Sequence, residues 1–360
     1  MNKITIPIGP HHPLLKEPLS MRIDISGERV LGANLRLGYV HRGIEKMATQ
    51  RTYVQDVHLI ERICGICSHI HTTTFCLAVE ALLGIEVPPR GQYIRALMCE
   101  LERVHSHLLW LGILAKHVGL DTVFMHTWHD RELVLDIMEG VSGGRVSHAA
   151  NQIGGVRFDL TEEQEAMITE NVDKLKVQVG GLLDVIENEP TLRARTQGVA
   201  PVSAELIRDY CVVGPVARAS GVDMDMRRVA PWAPYDQLDV KVFTRPEGDA
   251  WARTLIRALE VRESLRLCDT LLHKMPTGEV SVRAPRKVPE GEVVIRSEAP
   301  RGEVLYYLRS DGSDRPARLK VRTPTLAVLS LLPVQLSAIH VADIPVVLAG
   351  IDLCVACADR

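Results

Sequence analysis

Apolar and polar residues alternate in the first segments of the chain, "ITIPIGP" and "LSMRIDISGERVLGANLRLG", on either side of Gly27. A period of two broken by a glycine predicts a β-hairpin or small sheet. From about residue 45 the period becomes helical. In "IRALMCELERVHSHLLWLGILAKHVG" the apolar positions Ile94, Leu97, Met98, Leu101, Val104, Leu108 and Leu111 recur every three or four residues as one stripe. "EEQEAMITENVDKLKVQVGGLLDVIE" and "WARTLIRALEVRESLRLCDTLL" behave likewise, with "DLTEEQ" as a helix start. After residue 276, "EVVIRSEAPRGEVLYYLRSDGSDRPARLKVRTP" returns to strands, with Asp311-Gly312 in a turn. The pattern predicts an α+β, mainly α chain. A helical bundle over 45–275 is flanked by β-rich residues 1–44 and by β-hairpins within 276–360. No repeat, linker or composition shift divides it, so residues 1–360 read as a single domain.

Residues 326–358 are the most apolar stretch, yet Pro333, His340, Asp343 and Pro345 interrupt it, which predicts buried interior and not a membrane span. "MNKITIPIGPHHP" lacks the apolar run of a signal peptide and points to the cytoplasm, where eight cysteines are expected as reduced ligands or buried thiols. Net charge is −3, which supplies no bulk basic field for nucleic acid. Cys76, Cys99, Cys211 and Cys268 have no paired spacing and are expected as small buried side chains. His105, His107, His117, His126 and His129 sit at helical spacings and read as structural. "GVSGGRVSHAANQIGG" lacks a phosphate-loop signature and reads as packing or partner contact. Asp223, Arg227 and Arg228 could line a channel or form a salt-bridge network.

The candidate chemistry lies in two C-x-x-C pairs, Cys64 and Cys67 in "RICGICSHIH" and Cys354 and Cys357 in "CVAC". Four thiolates can hold a structural zinc, although zinc modules keep their pairs closer in sequence. A redox pair needs a βαβ setting that is missing here. Soft thiolates also suit nickel and iron, and four can hold two metals if two sulfurs bridge.

"RICGIC" with "DLCVACADR" resembles the large subunit of nickel–iron hydrogenases. "GPHHP", "GYVHRGIEKM", "ELERVHSHLLWLG", "VSGGR" and "GPVARASGVDMDMRR" are similar to the membrane-bound, energy-converting subgroup and to the related core subunit of complex I. Complex I keeps the surrounding motifs without the metal-binding cysteines, whereas this chain has all four. The resemblance implies Cys64 and Cys354 as terminal nickel ligands and Cys67 and Cys357 as thiolates bridging nickel to iron. It also implies carbon monoxide and cyanide on the iron. Arg301 in "EAPRGE" matches the arginine over the metals, Pro324-Thr325 the cyanide-binding segment, and His71 a donor to a bridging sulfur. Arg301 and the thiolates are the candidate first bases. Glu17, 47 residues before Cys64, matches the gating glutamate expected to take a proton from Cys354, its pKa raised by burial.

The implied activity is reversible dihydrogen activation and proton reduction with electrons from a ferredoxin-like donor. No cysteines remain at cluster spacing, so the electrons need an iron–sulfur small subunit. The resemblance adds membrane ion-translocating subunits, with this chain peripheral on the cytoplasmic face, and maturation proteins. In many relatives one of these, a protease, cuts three residues beyond the last cysteine, which is Arg360 here. The alternatives are a complex I-like quinone or other acceptor oxidoreductase without nickel, and a zinc-stapled structural subunit. Two departures stand out: Leu353 replaces a proline, and Arg360 replaces a histidine that helps the match of Glu45 bind magnesium. Arginine cannot serve as a neutral imidazole ligand, so a direct Arg360–Glu45 ion pair competes with magnesium at that place.

Overall fold

The structure, a computed structural model, describes residues 3–360. Strands β1 (Ile4–Ile8), β2 (Ser20–Ser26) and β3 (Arg29–Arg36) form the expected antiparallel sheet, turning at Gly27 with φ +60°. Met21, Ile23 and Val30 are its inward residues. Helices α1 (Ile44–Ala48), α2 (Tyr53–Glu61), α3 (Ser68–Leu83), α4 (Pro89–His117) and α5 (Asp121–Ser142) follow. A two-residue hairpin, β4 (Asn151–Gln152) and β5 (Gly155–Val156), precedes α6 (Glu162–Asn188). Short helices α7 (Pro190–Thr196), α8 (Ala204–Asp209), α9 (Pro215–Arg218) and α10 (Met226–Val229) lead to α11 (Ala250–His273). Helices α4, α5, α6 and α11 pack as the central bundle around one apolar cluster.

The predicted C-terminal strands are β6 (Gly291–Ala299), β7 (Gly302–Ser310) and β8 (Pro316–Arg322), a meander whose β6 and β7 lie against α3. Beyond them the apolar stretch folds into α12 (Pro324–Leu336), α13 (Ile344–Ile351) and α14 (Val355–Asp359). The expectation of β-hairpins over 276–360 therefore covers only part of that segment. Helices buried on most sides carry no polar stripe, so their sequences show no 3.6-residue period. Among the described residues, no helix is long and apolar enough to cross a membrane.

Helix α4 departs from its amphipathic reading. Its apolar stripe is buried as predicted, but Arg95, Glu100, Glu102, Arg103, His105 and His107 on its polar positions are buried too. Burying charge is costly unless each group is paired and hydrogen-bonded. Arg95 forks onto Glu80 at 2.9 and 2.7 Å, Glu100 accepts from Arg227, Tyr235 and Ser264, and His107 meets Glu260 at 2.9 Å. Arg218 binds Glu260 at 2.8 Å and Glu298 at 2.9 Å, with Asp225 at 3.6 Å. Of the family-signature residues, Arg227 thus belongs to this buried network, while Arg228 and Asp223 form an exposed pair. Arg218→Met should leave three buried carboxylates facing one another and cost about 3–5 kcal/mol, read as a lowered urea midpoint. A loss under about 0.5 kcal/mol would mean the carboxylates do not depend on this arginine.

Candidate metal centre

Both C-x-x-C pairs lie at the start of a helix. Cys67 precedes the first residue of α3 and Cys64 lies in the turn before it, while Cys354 precedes α14 and Cys357 sits within it. The fold closes the gap of 290 residues: Cys64 Sγ lies 3.4 Å from Cys354 Sγ, and Cys67 Sγ 3.5 Å from Cys357 Sγ. Cys354 and Cys357 are 3.1 Å apart. All four are buried free thiols. These separations exceed a disulfide bond and suit sulfurs that converge on metal.

Helix starts and charged side chains surround the sulfurs. Buried Arg301, at the turn between β6 and β7, donates from Nε to the Asp352 carbonyl at 2.9 Å and from Nη2 to Asp352 Oδ1 at 3.0 Å. Ser106 Oγ lies 3.4 Å from its Nη1, and Lys16 Nζ lies 3.5 Å from Asp352. Burial disfavours the Arg301 charge, but Asp352 and the nearby cysteines outweigh it and hold its pKa far up. The start of α12 contributes Thr323, whose hydroxyl donates to the Cys357 carbonyl at 3.2 Å, and Thr325, whose hydroxyl accepts from Cys354 N–H at 3.3 Å. Pro324 lies between them, and the first turn of this 13-residue helix offers a positive dipole end beside the cysteines.

On the other side, His71 Nε2 lies 3.6 Å from Cys357 Sγ and its Nδ1 lies 2.7 Å from the Tyr306 hydroxyl. Burial lowers the His71 pKa to about 4, so the ring is neutral at pH 7. Burial likewise keeps Tyr306 protonated. Glu102 accepts from the N–H groups of His69 and Ile70 at 2.6 and 3.1 Å, filling the start of α3.

Glu17 reaches the centre from the loop between β1 and β2. One carboxylate oxygen accepts from the Val355 and Ala356 N–H groups at the start of α14, the latter at 3.3 Å. The other oxygen is 4.0 Å from Cys354 Sγ. Burial raises the Glu17 pKa, the neighbouring Cys64 raises it further, and the two N–H groups pull it back without reversing the shift. The same group thus caps a helix and faces a cysteine sulfur.

The structure brings Glu17, Cys64, Cys67, His71, Arg301, Pro324, Thr325, Cys354 and Cys357 to one place. Glu45 lies beside it, engaged by Arg360 at 2.8 Å, by Lys320 at 3.2 Å and by the Val321 N–H. That donor set does not fit magnesium: two cations already hold the carboxylate, and a guanidinium has no lone pair to offer a metal. The sequence reading missed Tyr306, Asp352, Thr323 and Ser106. Tyr306 was findable as an inward position of a strand, between Val304 and Leu308, whose hydroxyl needs a buried partner. Asp352 needed only the proximity of a buried arginine, which no local pattern encodes.

Away from the centre, Cys76, Cys99 and Cys268 are buried as expected, but Cys211 is exposed. It follows α8 with φ +50° in a surface turn, a position that single-residue composition does not reveal. His105 and His107 bond to Arg131 and Glu260, and His126 and His129 are exposed. The glycine-rich segment packs: a Cβ on Gly155, whose φ is +147°, would meet the Val280 carbonyl oxygen at 2.2 Å.

The profile described as "Respiratory-chain NADH dehydrogenase, 49 Kd subunit" matches residues 117–288 and 281–360, and that described as "Nickel-dependent hydrogenase" matches residues 42–125. The chain is 40% identical to the carbon monoxide-induced hydrogenase of Rhodospirillum rubrum over 100% of both chains. It is 39% identical to the alpha subunit of the membrane-bound hydrogenase of Pyrococcus furiosus, over 99% of this chain and 87% of that one. A subunit of the F(420)H(2) dehydrogenase of Methanosarcina mazei is 37% identical over 100% of this chain and 98% of its own. On the four clustered cysteines and these matches, the chain belongs to the family that joins the large subunits of energy-converting nickel–iron hydrogenases to the 49-kDa core subunit of respiratory complex I.

Proposed function

We propose that this chain is the catalytic subunit of an energy-converting hydrogenase. The observation that carries the reading is the cluster of four buried thiols at 3.1–3.5 Å within a fold whose complex I branch has no need of them. Cys64, Cys67, Cys354 and Cys357 would hold a nickel–iron centre with carbon monoxide and cyanide on the iron, which when bound supplies the binding and heterolysis of dihydrogen. The donors are soft and buried, in keeping with such a pair of metals.

The remaining residues bind, orient and move protons around it. Arg301 is a fixed cation here and not a proton acceptor, since Asp352 and the cysteines keep it charged. With the start of α12 it provides positive potential for anionic diatomic ligands. Glu17 would take the proton from Cys354 Sγ, and burial, which raises its pKa, makes it a better proton acceptor than a solvated carboxylate. The Tyr306 hydroxyl, 2.7 Å from Nδ1, fixes the His71 ring whose Nε2 lies 3.6 Å from Cys357 Sγ. Tyr306→Phe should leave the metals bound, shift the infrared bands of the diatomics and lower activity by about tenfold or more. Unshifted bands would remove Tyr306 from that role.

In the proton-reducing direction the electrons come from a ferredoxin-like donor through an iron–sulfur small subunit. A relative named as a membrane-bound hydrogenase supports membrane partner subunits, which we take to couple the reaction to ion translocation. The second reading, a complex I-like acceptor oxidoreductase without nickel, is favoured by the match of the 49-kDa profile and by the dehydrogenase relative. Metal analysis of the purified protein decides. Nickel is expected, with one iron per nickel beyond the iron of the small subunit's clusters; no nickel would favour the second reading, and zinc in its place would reduce the site to a structural staple.

A further inference from the structure

Glu45, on α1, is surrounded by cations that belong to the chain. Its Oε1 accepts from Arg360 Nε at 2.8 Å and from Val321 N–H at 2.9 Å, and its Oε2 faces Lys320 Nζ at 3.2 Å. Both β8 residues lie on the strand that packs against α1. Arg360 Nη1 also donates to the Ala358 carbonyl at 2.9 Å. One oxygen of the nearby Asp359, Oδ2, accepts from the N–H groups of Gly38 and Val40 at 2.8 and 3.1 Å. Both Glu45 oxygens are thus held by donors of this chain, so a hard divalent ion, which needs several oxygen ligands, would have to displace Arg360 and Lys320 to bind there.

We propose that the Arg360 guanidinium is a built-in counter-cation that takes the place of a divalent metal at Glu45 and latches α14, with Cys354 and Cys357, onto α1 and β8. The pair is largely sheltered, with 10% of the Arg360 side chain and 18% of the Glu45 side chain exposed, so solvent screens it less than a surface pair. Burial works against the Glu45 charge, but the Val321 N–H, Arg360 and Lys320 outweigh it and hold the carboxyl below its ordinary range. Only one turn of helix separates Cys357 from Arg360, so a loosened arginine frees the segment that carries two of the four sulfurs. The inference goes beyond the proposed hydrogenase activity and stands whichever metal the thiolates hold.

The test uses the purified wild-type complex and compares its thermal midpoint with EDTA and with millimolar magnesium, alongside manganese(II) binding read by electron paramagnetic resonance. The expected result is the same midpoint in both conditions and no manganese signal that depends on Glu45. Glu45→Gln and Arg360→Gln should each lower the midpoint by several degrees and speed amide exchange across residues 354–360. The exchanged pair Glu45→Arg with Arg360→Glu should recover part of that loss. Arg360→His restores an imidazole and should create manganese binding that wild type lacks. A wild-type midpoint lowered by EDTA and restored by magnesium would overturn the proposal. So would unchanged amide exchange in both single variants. The wild-type arm decides even if a variant fails to fold.

Discussion

Cys67→Ser or Cys357→Ser should yield folded protein with little nickel and no detectable hydrogen activity. Cys357 Sγ lies within 3.1 Å of Cys354 and 3.5 Å of Cys67, so its loss opens the sulfur cluster in the middle. A serine hydroxyl is a hard donor that keeps its proton at neutral pH, whereas metal ligation here needs a deprotonated, polarisable sulfur. The bridging assignment sharpens the expectation, because removing a shared sulfur exposes two metals at once. Cys211→Ser is the control: that thiol is exposed and stands outside the cluster, and its loss should change neither nickel content nor turnover. Nickel and turnover at wild-type levels in either Cys67→Ser or Cys357→Ser would show that these sulfurs do not bridge.

Glu17→Gln should keep the metals and lose proton delivery. A single carboxylate oxygen of Glu17 accepts both the Val355 and Ala356 N–H groups, and the glutamine carbonyl can occupy that position. The cap of α14 therefore survives, and with it the placement of Cys354 and Cys357. What disappears is a carboxyl oxygen, 4.0 Å from Cys354 Sγ, that can take up and release a proton. General acid–base groups typically contribute about 10²–10⁴-fold, so hydrogen evolution and hydrogen–deuteron exchange should fall by about 10²-fold or more. The infrared bands of the diatomic ligands should stay in place. The pH dependence has a definite sign: Glu17 binds its proton more tightly in the folded protein than in the unfolded chain. It therefore favours the fold below its unfolded pKa, and that contribution is lost as pH rises through the raised folded value. Glu17→Gln should flatten this part of the stability profile. Exchange near the wild-type rate in a metal-loaded Glu17→Gln protein would place the proton exit elsewhere.

What the sequence disclosed follows from how each part is buried. The N-terminal sheet and β6–β8 were legible because each strand has one face inward and alternates accordingly, as Met21 and Ile23 or Val304, Tyr306 and Leu308 do. The apolar stripe of α4 was legible for the same reason. Its second, charged interior was not, because Glu100 and Arg103 look like a solvated face until Arg227 arrives from far along the chain. The helices α12 and α13 were hidden by uniform apolarity. The cysteine pairs were evident from spacing and flanking residues, whereas their meeting across 290 residues required the fold. The Arg360–Glu45 pair was foreseeable as one of two outcomes from side-chain chemistry alone, since a guanidinium can pair with a carboxylate but cannot ligate a metal.

The central claim is that the four thiolates support hydrogen chemistry and do more than staple the chain. Isotope exchange tests it without depending on the electron acceptor or on the membrane partners. The purified wild-type complex, held under dihydrogen in deuterated water with no added acceptor, should form HD at a rate proportional to its nickel content. A metal-replete preparation that forms no HD, while reducing a quinone or another acceptor, would contradict the hydrogenase reading and return this chain to the complex I side of its family.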